Sequence, residues 1–469
     1  MQETIIKEIA AIVGPAHILT APEDCWTYAY DATDRAQMPD AVVFPGSAEE
    51  ISRILKLANR HRFPVTPRGA GTGRSGGAVP IQGGVVLVLT RLNRILEINR
   101  GDMVAVVEPG VILGRFKAAV EAQGLYYPPD PSSADFCTIG GNVAECAGGA
   151  VAVQYGVTRD YVLGLTVVLP TGEIMDAGTR TMKGVVGYDL TRLFLGSEGT
   201  LGVIIRIVLR LTARPPARQT LTAGFLSLEA AARAVSLILQ AGLAPTALEF
   251  LDRATLSCVG ELLPFKLPRR ISALLLAAVD GHPHDVEDRC RRMARVFKEQ
   301  GARPVIRARD EAAAEDLWKA RRVISPALLK LKPQKVSEDV AVPLGAIPEL
   351  VAGLEEISRR RGLPVACYGH AGDGNIHVNV LYDRKIPAER DAVAPAVADI
   401  FALTRRLQGT LSGEHGVGLT KAPYLGLELS EASIALQRRL KAAFDPSGIM
   451  NPGKIFPEAE KADRENDKT

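Results

Sequence analysis

Residues 67–77 read PRGAGTGRSGG, and Gly71, Gly73 and Gly76 inside them satisfy the dinucleotide fingerprint G-x-G-x-x-G. A working fingerprint occupies the turn from a strand into a helix, because the helix N-terminus holds the pyrophosphate. The neighbours here are different. Downstream, AVPIQGGVVLVLT contains a valine- and leucine-rich run over 85–90 with no helical spacing, which reads as a strand. Upstream, Ser47 and Glu50 form a capping box that opens a helix, with Ile51, Ile54, Leu55 and Ala58 along one face. FPVTPRG then reads as a short strand. The order helix, strand, glycine loop, strand does not fit a Rossmann unit, and no G-K-[ST] follows to make a P-loop. So many glycines still need a cause, since each loses more backbone freedom on folding than any other residue. Successive glycines let main-chain N–H groups line a concave nest around an anion, with Arg68 and Arg74 adding charge. The loop therefore reads as a phosphate cradle on a scaffold of another kind.

A chain of 469 residues exceeds what one hydrophobic core usually serves, and two domains are expected. Hydrophobic residues make up 47% of it, enough for sizeable cores. Lysine and arginine number 56 against 53 acids, a net charge of +3 with no basic blocks, which does not suggest nucleic acid as a partner. The opening MQETIIKEIAAIVG reads as an amphipathic helix, without the basic flank and long apolar run of a signal peptide. No window is long and apolar enough to span a bilayer, so a cytoplasmic protein is expected, peripheral to a membrane only through a partner. The six cysteines (Cys25, Cys137, Cys146, Cys258, Cys290 and Cys367) form no C-x-x-C pair, and they read as reduced, packed thiols. The final EAEKADRENDKT, 458–469, has the composition of a disordered tail.

Strand and helix signals alternate irregularly through the first half. Strands are expected near 85–90, 103–107, 165–169 and 203–211, with a helix over 113–123 stopped by Gly124. Arg214, Pro215 and Pro216 read as a boundary. Beyond them the rhythm becomes more regular, with a buried strand over 271–279 and helices over 347–361, 389–407 and 431–444, the pattern of a second α+β domain.

Chemistry concentrates in five further segments. PPDPSSADFCTIGGNVAECAGG, 128–149, reads as a long functional loop in which Thr138, Gly140, Gly141 and Asn142 offer main-chain donors to a phosphate or a ring edge. GSEGTLGVI, 196–204, offers another close backbone approach before a strand. Three such loops point to a large, extended cofactor. In CYGHAGDGNIHVNV, 367–380, His370 sits at a glycine turn, and His377 and Asn379 share one face of the strand that follows. SGEHGVG, 412–418, places Glu414 and His415 side by side and facing opposite ways. Two histidines and a carboxylate are a common divalent-metal set with open positions, and imidazole suits a general base near neutral pH; isolated histidines of this kind can equally be hydrogen-bonded turn residues. LWKARRVISPALLKLKPQKVSEDVAVP supplies Arg321 and Lys335, which could hold a carboxylate or could form a solvated cationic face.

In chain order, YAYDATDRAQMPDAVVFP, PRGAGTGRSGG, TIGGNVAECAGG, VVGYDLTRLFLGSEGTLGVI, GHAGDGNIHVN, SGEHGVG and NPGKIF resemble the flavin-dependent D-2-hydroxy-acid dehydrogenases of the vanillyl-alcohol-oxidase superfamily. That group includes the glycolate oxidase catalytic subunit, D-lactate dehydrogenase and D-2-hydroxyglutarate dehydrogenase. The resemblance implies an α+β fold in which a two-subdomain FAD-binding domain, 1–212, is interrupted by an α+β cap, 213–411, with an antiparallel sheet covered by helices. It implies that 412–457 returns to complete the FAD domain. It also implies non-covalent FAD on Pro67, Arg68, Gly69, Ala70, Gly71, Thr72, Gly73, Ser75 and Gly76, then on Pro129, Asp130, Thr138, Gly140, Gly141, Asn142, Gly148, Gly149 and Tyr155, and finally on Glu198, Gly202, Ile204 and Asn451.

By the same likeness His370, His377 and Glu414 are the ligands of a divalent metal, zinc first with manganese or iron as alternatives. His415 is the catalytic base, Arg321 and Lys335 hold the substrate carboxylate, and Asn379 contacts substrate. The implied reaction takes a D-2-hydroxy acid to the 2-keto acid by hydride transfer to flavin N5. D-lactate or glycolate is the first expectation for the substrate, with D-2-hydroxyglutarate or D-malate as alternatives. Two other readings stay open, a non-catalytic flavin-binding subunit of a multi-subunit oxidase and a transferase of the alkyl-glycerone-phosphate synthase type. The sequence offers no iron–sulfur spacing, haem-attachment motif or nicotinamide fingerprint in the right context. An external acceptor is therefore expected, an iron–sulfur subunit or an electron-transfer flavoprotein, with the chain a homodimer or one subunit of a complex.

Overall fold

The computed structural model describes residues 1–457; the expected tail, 458–469, lies outside the described residues. Three larger sheets, with a two-stranded pair of Leu125–Tyr126 and Thr212–Ala213, organise the described residues. The first has four strands in the order Ile18–Leu19, Ala41–Val43, Val85–Val88, Val65–Arg68, and its last three run parallel. Half of the expected capping box forms: Ser47 Oγ accepts from the Glu50 N–H, while the Glu50 carboxylate takes the Gly46 N–H one residue before the cap, and the helix Ala48–His61 turns Ile51, Ile54, Leu55 and Ala58 into the core beside Ile5 and Ile9 of the helix Glu3–Val13. Parallel neighbours usually need a helical crossover. Here the connection from Val65–Arg68 to Val85–Val88 is the glycine loop itself.

The second sheet is antiparallel, in the order Ile95–Asn99, Val104–Val107, Val203–Arg210, Val162–Val168, Ile174–Gly178. One reading changes at this point. Residues 128–149 are not loop throughout, because Thr138 caps a helix, Ile139–Glu145, with its hydroxyl accepting from the Gly141 N–H. The paired glycines hid it, since two adjacent glycines normally argue against a helix interior. They are admitted here by close packing: a Cβ on Gly140 would strike Pro109.

The third sheet has seven strands, all antiparallel, in the order Val305–Arg307, Ala217–Phe225, Ala273–Gly281, Ala247–Asp252, Val365–His370, Asn375–Tyr382, Gln334–Ala341. Its alternation decides where the chemistry goes. Leu248 and Phe250, Cys367, Ile376, Val378 and Val380, and Val340 point into one large core under the helices Leu228–Gln240, Pro283–Glu299, Ile347–Arg361 and Pro387–Arg406. Their period-two neighbours, Glu249, Tyr368 and His370, His377 and Asn379, and Lys335, Ser337 and Asp339, therefore share the opposite face. Full burial of each large apolar side chain on the first face contributes about 1.5–3 kcal/mol, which holds the register that fixes the second.

After the helix Pro387–Arg406 the chain passes the edge strand Gln334–Ala341, where Thr410 pairs with Ala341, and loops out through 412–421. Gly413 N–H bonds to the Asp339 carbonyl, and Leu419 and Thr420 N–H groups bond to the Ser75 carbonyl in the glycine loop. After the helix Glu431–Phe444, Ile449 and Asn451 pair with Val65, beside the first sheet. The segment after 411 thus meets both the glycine loop and the strand that leads into it.

Candidate active site

The strand Val65–Arg68 delivers the glycine loop into a cavity of about 550 Å³. Gly71 and Gly76 have φ of +72° and +85°, in the left-handed region that side chains rarely adopt. Space is as tight as conformation: a Cβ on Gly71 would run into the Arg68 guanidinium, and one on Gly69 into Thr138 Oγ1. Arg68 is buried and donates to the Tyr30 carbonyl at 2.7 Å, so it braces the loop from behind. Pro67, Arg68, Gly69, Ala70, Gly71, Thr72 and Gly73 line this cavity together with Thr138, Gly140, Gly141, Asn142, Gly148, Glu198, Gly202 and Ile204. Leu89 and Phe136 add apolar wall.

The other residues assigned to FAD lie elsewhere. Asp130 and Gly149 line the neighbouring cavity. Ser75 and Gly76 sit behind the loop, where the Ser75 carbonyl takes the N–H groups of Leu419 and Thr420. Pro129 turns its carbonyl to Lys117, and Tyr155 bonds to Asp280 across the join between the first half and the third sheet. Asn451 donates to the carbonyls of Gly77 and Glu198 and ties two cavity loops together without touching the space between them. These residues shape the wall and do not form it. Gly71→Val combines a forbidden φ with a clash against Arg68, and the expected product is folded protein purified without flavin, read from visible absorbance per chain.

The neighbouring cavity, about 310 Å³, joins the first at Arg74, Ser132, Ser325, Glu414 and His415. Its far wall is the polar face of the seven-stranded sheet. Glu249 and His370 stand opposite each other in register, as do Asp339 and His377. Burying so many charges is tolerable only if each is paired. Glu249 is completely buried and bridges two partners, with Oε1 2.6 Å from His370 Nδ1 and Oε2 accepting from Arg321 Nε at 2.5 Å. Burial alone would raise its pKa, but Arg321 and His370 hold it below the usual carboxylate value.

The other nitrogen of His370 and that of His377 face Glu414 Oε1 at 3.5 and 3.6 Å. Ligand atoms of His370, His377 and Glu414 all lie within 4.8 Å of one another. His370 Nε2 is sealed from solvent and has no hydrogen-bond partner among the described residues. An inward nitrogen left unpaired while the outer one is fixed by a carboxylate is how a metal-ligating histidine is usually arranged.

His415 stacks on His377, with ring centroids 5.3 Å apart and planes 10° off parallel. Its Nδ1 is 3.3 Å from Asp339 Oδ1, while Asp339 Oδ2 takes the N–H groups of Glu414 and His415 at 2.6 and 3.0 Å. Lys421 closes the other side of the same carboxylate. Burial opposes that charge, but His415 and Lys421 win and hold Asp339 at about 2. For His415 burial is the larger influence and lowers the pKa, against Asp339 and Glu414, which raise it.

Arg321 reaches the second cavity from the helix Glu311–Arg322, its guanidinium 4.8 Å from the Tyr368 ring, and Nε is its only nitrogen with a hydrogen-bond partner among the described residues. One turn on, Ser325 accepts from Arg74 Nη2 at 3.0 Å, and its carbonyl takes Lys335 Nζ at 2.6 Å. Burial, helped by Arg74, brings Lys335 down to about 7. Lys335 thus reaches the cavity through Ser325. Asn379 is fully buried behind Ser337, whose hydroxyl donates to it at 2.7 Å, so Ser337 and not Asn379 faces the space.

Sequence reasoning placed Arg74 at the phosphate and missed Ser325, Glu249 and Asp339. The last two had a signal, a carboxylate flanked on both sides by apolar residues in the strand ALEFLD and an acidic pair inside QKVSEDVA.

Two family profiles match this chain, a "FAD binding domain" over residues 39–178 and "FAD linked oxidases, C-terminal domain" over residues 214–455. The chain belongs to the FAD-linked oxidases. This FAD-linked oxidase is 43% identical over 451 residues to the glycolate oxidase subunit GlcD of Bacillus subtilis, covering 96% of each chain. It is 37% identical to a D-lactate dehydrogenase of Anaerostipes hadrus, again over 96% of each. A D-2-hydroxyglutarate dehydrogenase of Stutzerimonas stutzeri is 34% identical, with 96% of this chain and 98% of the relative covered. In three dimensions p-cresol methylhydroxylase superposes with a TM-score of 0.80 at 17% identity, over 97% of this chain and 96% of that one, which establishes the fold shared with vanillyl-alcohol-oxidase-type proteins. The α+β architecture with its antiparallel, helix-covered sheet agrees with the expectation from sequence. Among the described residues no helix is long and apolar enough to cross a membrane.

Proposed function

We propose that this FAD-linked oxidase takes a small D-2-hydroxy acid, D-lactate or glycolate, to its 2-keto acid and hands the electrons to an external protein acceptor. The observation that carries the reading is the join of the two cavities at His415. The long, glycine-lined space suits an extended dinucleotide, the compact one, with Arg74 and Arg321 in its wall, suits a hydroxy acid, and the candidate base stands where they meet. Bound FAD supplies a two-electron acceptor for the substrate Cα hydrogen. Arg321 holds the carboxylate through its free terminal nitrogens, and Arg74 and Lys335, gathered on Ser325, add positive charge on the side toward the glycine loop. His415 takes the hydroxyl proton on Nε2, while Asp339 fixes the ring by its Nδ1 side and by the two backbone N–H groups of its loop.

His370, His377 and Glu414 fit a divalent ion by donor type and spacing, zinc first, with Glu249 orienting His370 from behind. Such an ion would supply Lewis acidity next to the substrate hydroxyl. In domain terms the first part, 1–212, which carries the glycine loop, and the return segment, 412–457, hold FAD, and 213–411 carries the substrate face.

Anaerobic mixing of the purified flavoprotein with a panel of D- and L-acids tests the substrate class. D-lactate or glycolate is expected to bleach the flavin and L-lactate not; bleaching only by D-2-hydroxyglutarate or D-malate would move the substrate, and none at all would favour a non-catalytic subunit or a transferase. The acceptor has its own measurement. Reduced flavin is expected to reoxidise in air more slowly than artificial dyes turn over, with no reduction of NAD; reoxidation as fast as dye turnover would make this a true oxidase.

A further inference from the structure

Two carboxyl groups unused by the proposed reaction face the long cavity together. Glu145 ends the helix Ile139–Glu145, and Glu198 lies in the loop before the strand Val203–Arg210. Gly416, next to His415, shows how close they are: a Cβ there would stand 2.5 Å from Glu145 Oε2 and 2.9 Å from Glu198 Oε1. A Cβ on Gly77 would likewise meet Glu145 Oε1 at 2.7 Å and Glu198 Oε2 at 3.7 Å.

Glu198 is 5% exposed and is held at a φ of +52°. Its Oε1 accepts from the Val417 N–H at 2.8 Å. The Oε2 atoms of both residues are shut from solvent and have no hydrogen-bond partner among the described residues. The charged groups around the pair are Asp31, Lys421 and Lys454. Lys454 spends its hydrogen bonds on the Gly77 and Val79 carbonyls and on Asn451, and Lys421 donates to Asp339, so neither ammonium is bonded to the pair. Two buried carboxyls this close do not both ionise readily. Burial and the neighbouring Glu198 push Glu145 well up, and burial lifts Glu198 to about 7.

We infer that Glu145 and Glu198 form a carboxyl pair, holding one proton between them, that lies against the redox-active ring of FAD and lowers its electron affinity. This rests on the reading that places the ring beside His415, since Gly416 is the next residue and the pair is packed on it. A single negative charge kept there, away from water, opposes negative charge building up on the ring.

Sulfite, which adds to flavin N5 in proportion to the ring's electron deficiency, is the probe, applied to the holoprotein. Glu145→Gln/Glu198→Gln is expected to tighten sulfite binding by about ten-fold or more and to raise the flavin midpoint potential, with Glu198→Gln alone moving the same way by a smaller factor and Glu145→Gln, which leaves the charge on Glu198, moving it little. Should the double variant lose flavin, Glu198→Gln carries the test. Sulfite affinity within about two-fold of the parent in a flavin-replete double or Glu198→Gln variant would overturn the inference. His415→Asn separates the two readings. If it alters flavin absorbance or sulfite affinity while the carboxyl variants do not, the pair is refuted and the ring placement stands; if none of the variants alters them, both fall.

Discussion

His415→Asn is expected to slow flavin reduction by a D-2-hydroxy acid by roughly 10²–10⁴-fold, the usual consequence of losing a general base, while FAD content and fold stay those of the parent. Asparagine is smaller than histidine, but its amide can take the place of Nδ1 and still face Asp339, so the loop 412–418 retains its backbone bonds from Glu414 and residue 415 to that carboxylate. What is lost is the acceptor for the hydroxyl proton. Single-turnover stopped-flow at saturating substrate isolates the step, and near-normal reduction would remove the base role. The pH profile supplies a second check with a definite sign. A base works unprotonated, and the folded environment lowers the His415 pKa below the ordinary imidazole value of 6.5, through burial working against Asp339 and Glu414. Reduction should therefore be fully developed at pH 7 and fall only as the pH drops through that lowered value, and the His415→Asn variant should lose this acid limb.

Much of this site was legible because its parts are local. PRGAGTGRSGG and GSEGTLGVI declared themselves by glycines, and two of those glycines do take left-handed φ at the cavity, Gly71 in the first and Gly199 in the second. The strand IHVNV, with His377 and Asn379 on one face, followed from period two alone. What could not be read is register between strands far apart in sequence. Glu249 meets His370 across 121 residues and Asp339 meets Glu414 across 75, and no local pattern says which carboxylate lands opposite which imidazole. Distance also misplaced Arg74. From the loop it looked like a phosphate ligand, but its side chain crosses to Ser325, 251 residues on. Asn379 shows the opposite error, in which the right face was chosen at the wrong depth: its neighbour across the sheet, Ser337, takes the exposed position. The helix Ile139–Glu145 was missed because tertiary packing against Pro109 outweighed the low helix propensity of its glycines.

Removal of the proposed metal is expected to abolish turnover and spare the flavin. His370 and His377 project from neighbouring antiparallel strands, and Glu414 comes from the loop that crosses from the sheet edge to the glycine loop, so the three donors are fixed by independent elements. None of them lines the glycine-rich end of the long cavity, and Glu414 stands at the join. Dialysis against a strong chelator should therefore leave about one FAD per chain while lowering the reduction rate by more than about 10²-fold, in line with the several kcal/mol that a Lewis acid supplies to developing negative charge. Adding back zinc, manganese or iron one at a time should restore activity for one ion well ahead of the others, and metal analysis of the untreated protein should find the same ion near stoichiometric amounts. Glu249→Gln gives a graded version of the same test. It leaves all three donors in place but replaces the carboxylate that bonds His370 Nδ1, and metal affinity should weaken by about 10–100-fold, the usual effect of losing such a partner. Because Glu249 also holds Arg321, the substrate KM should rise in this variant even when excess metal restores occupancy. Active protein with no bound metal and no response to chelation would leave His370, His377 and Glu414 as a hydrogen-bonded structural cluster, with His415 and Arg321 carrying the reaction alone.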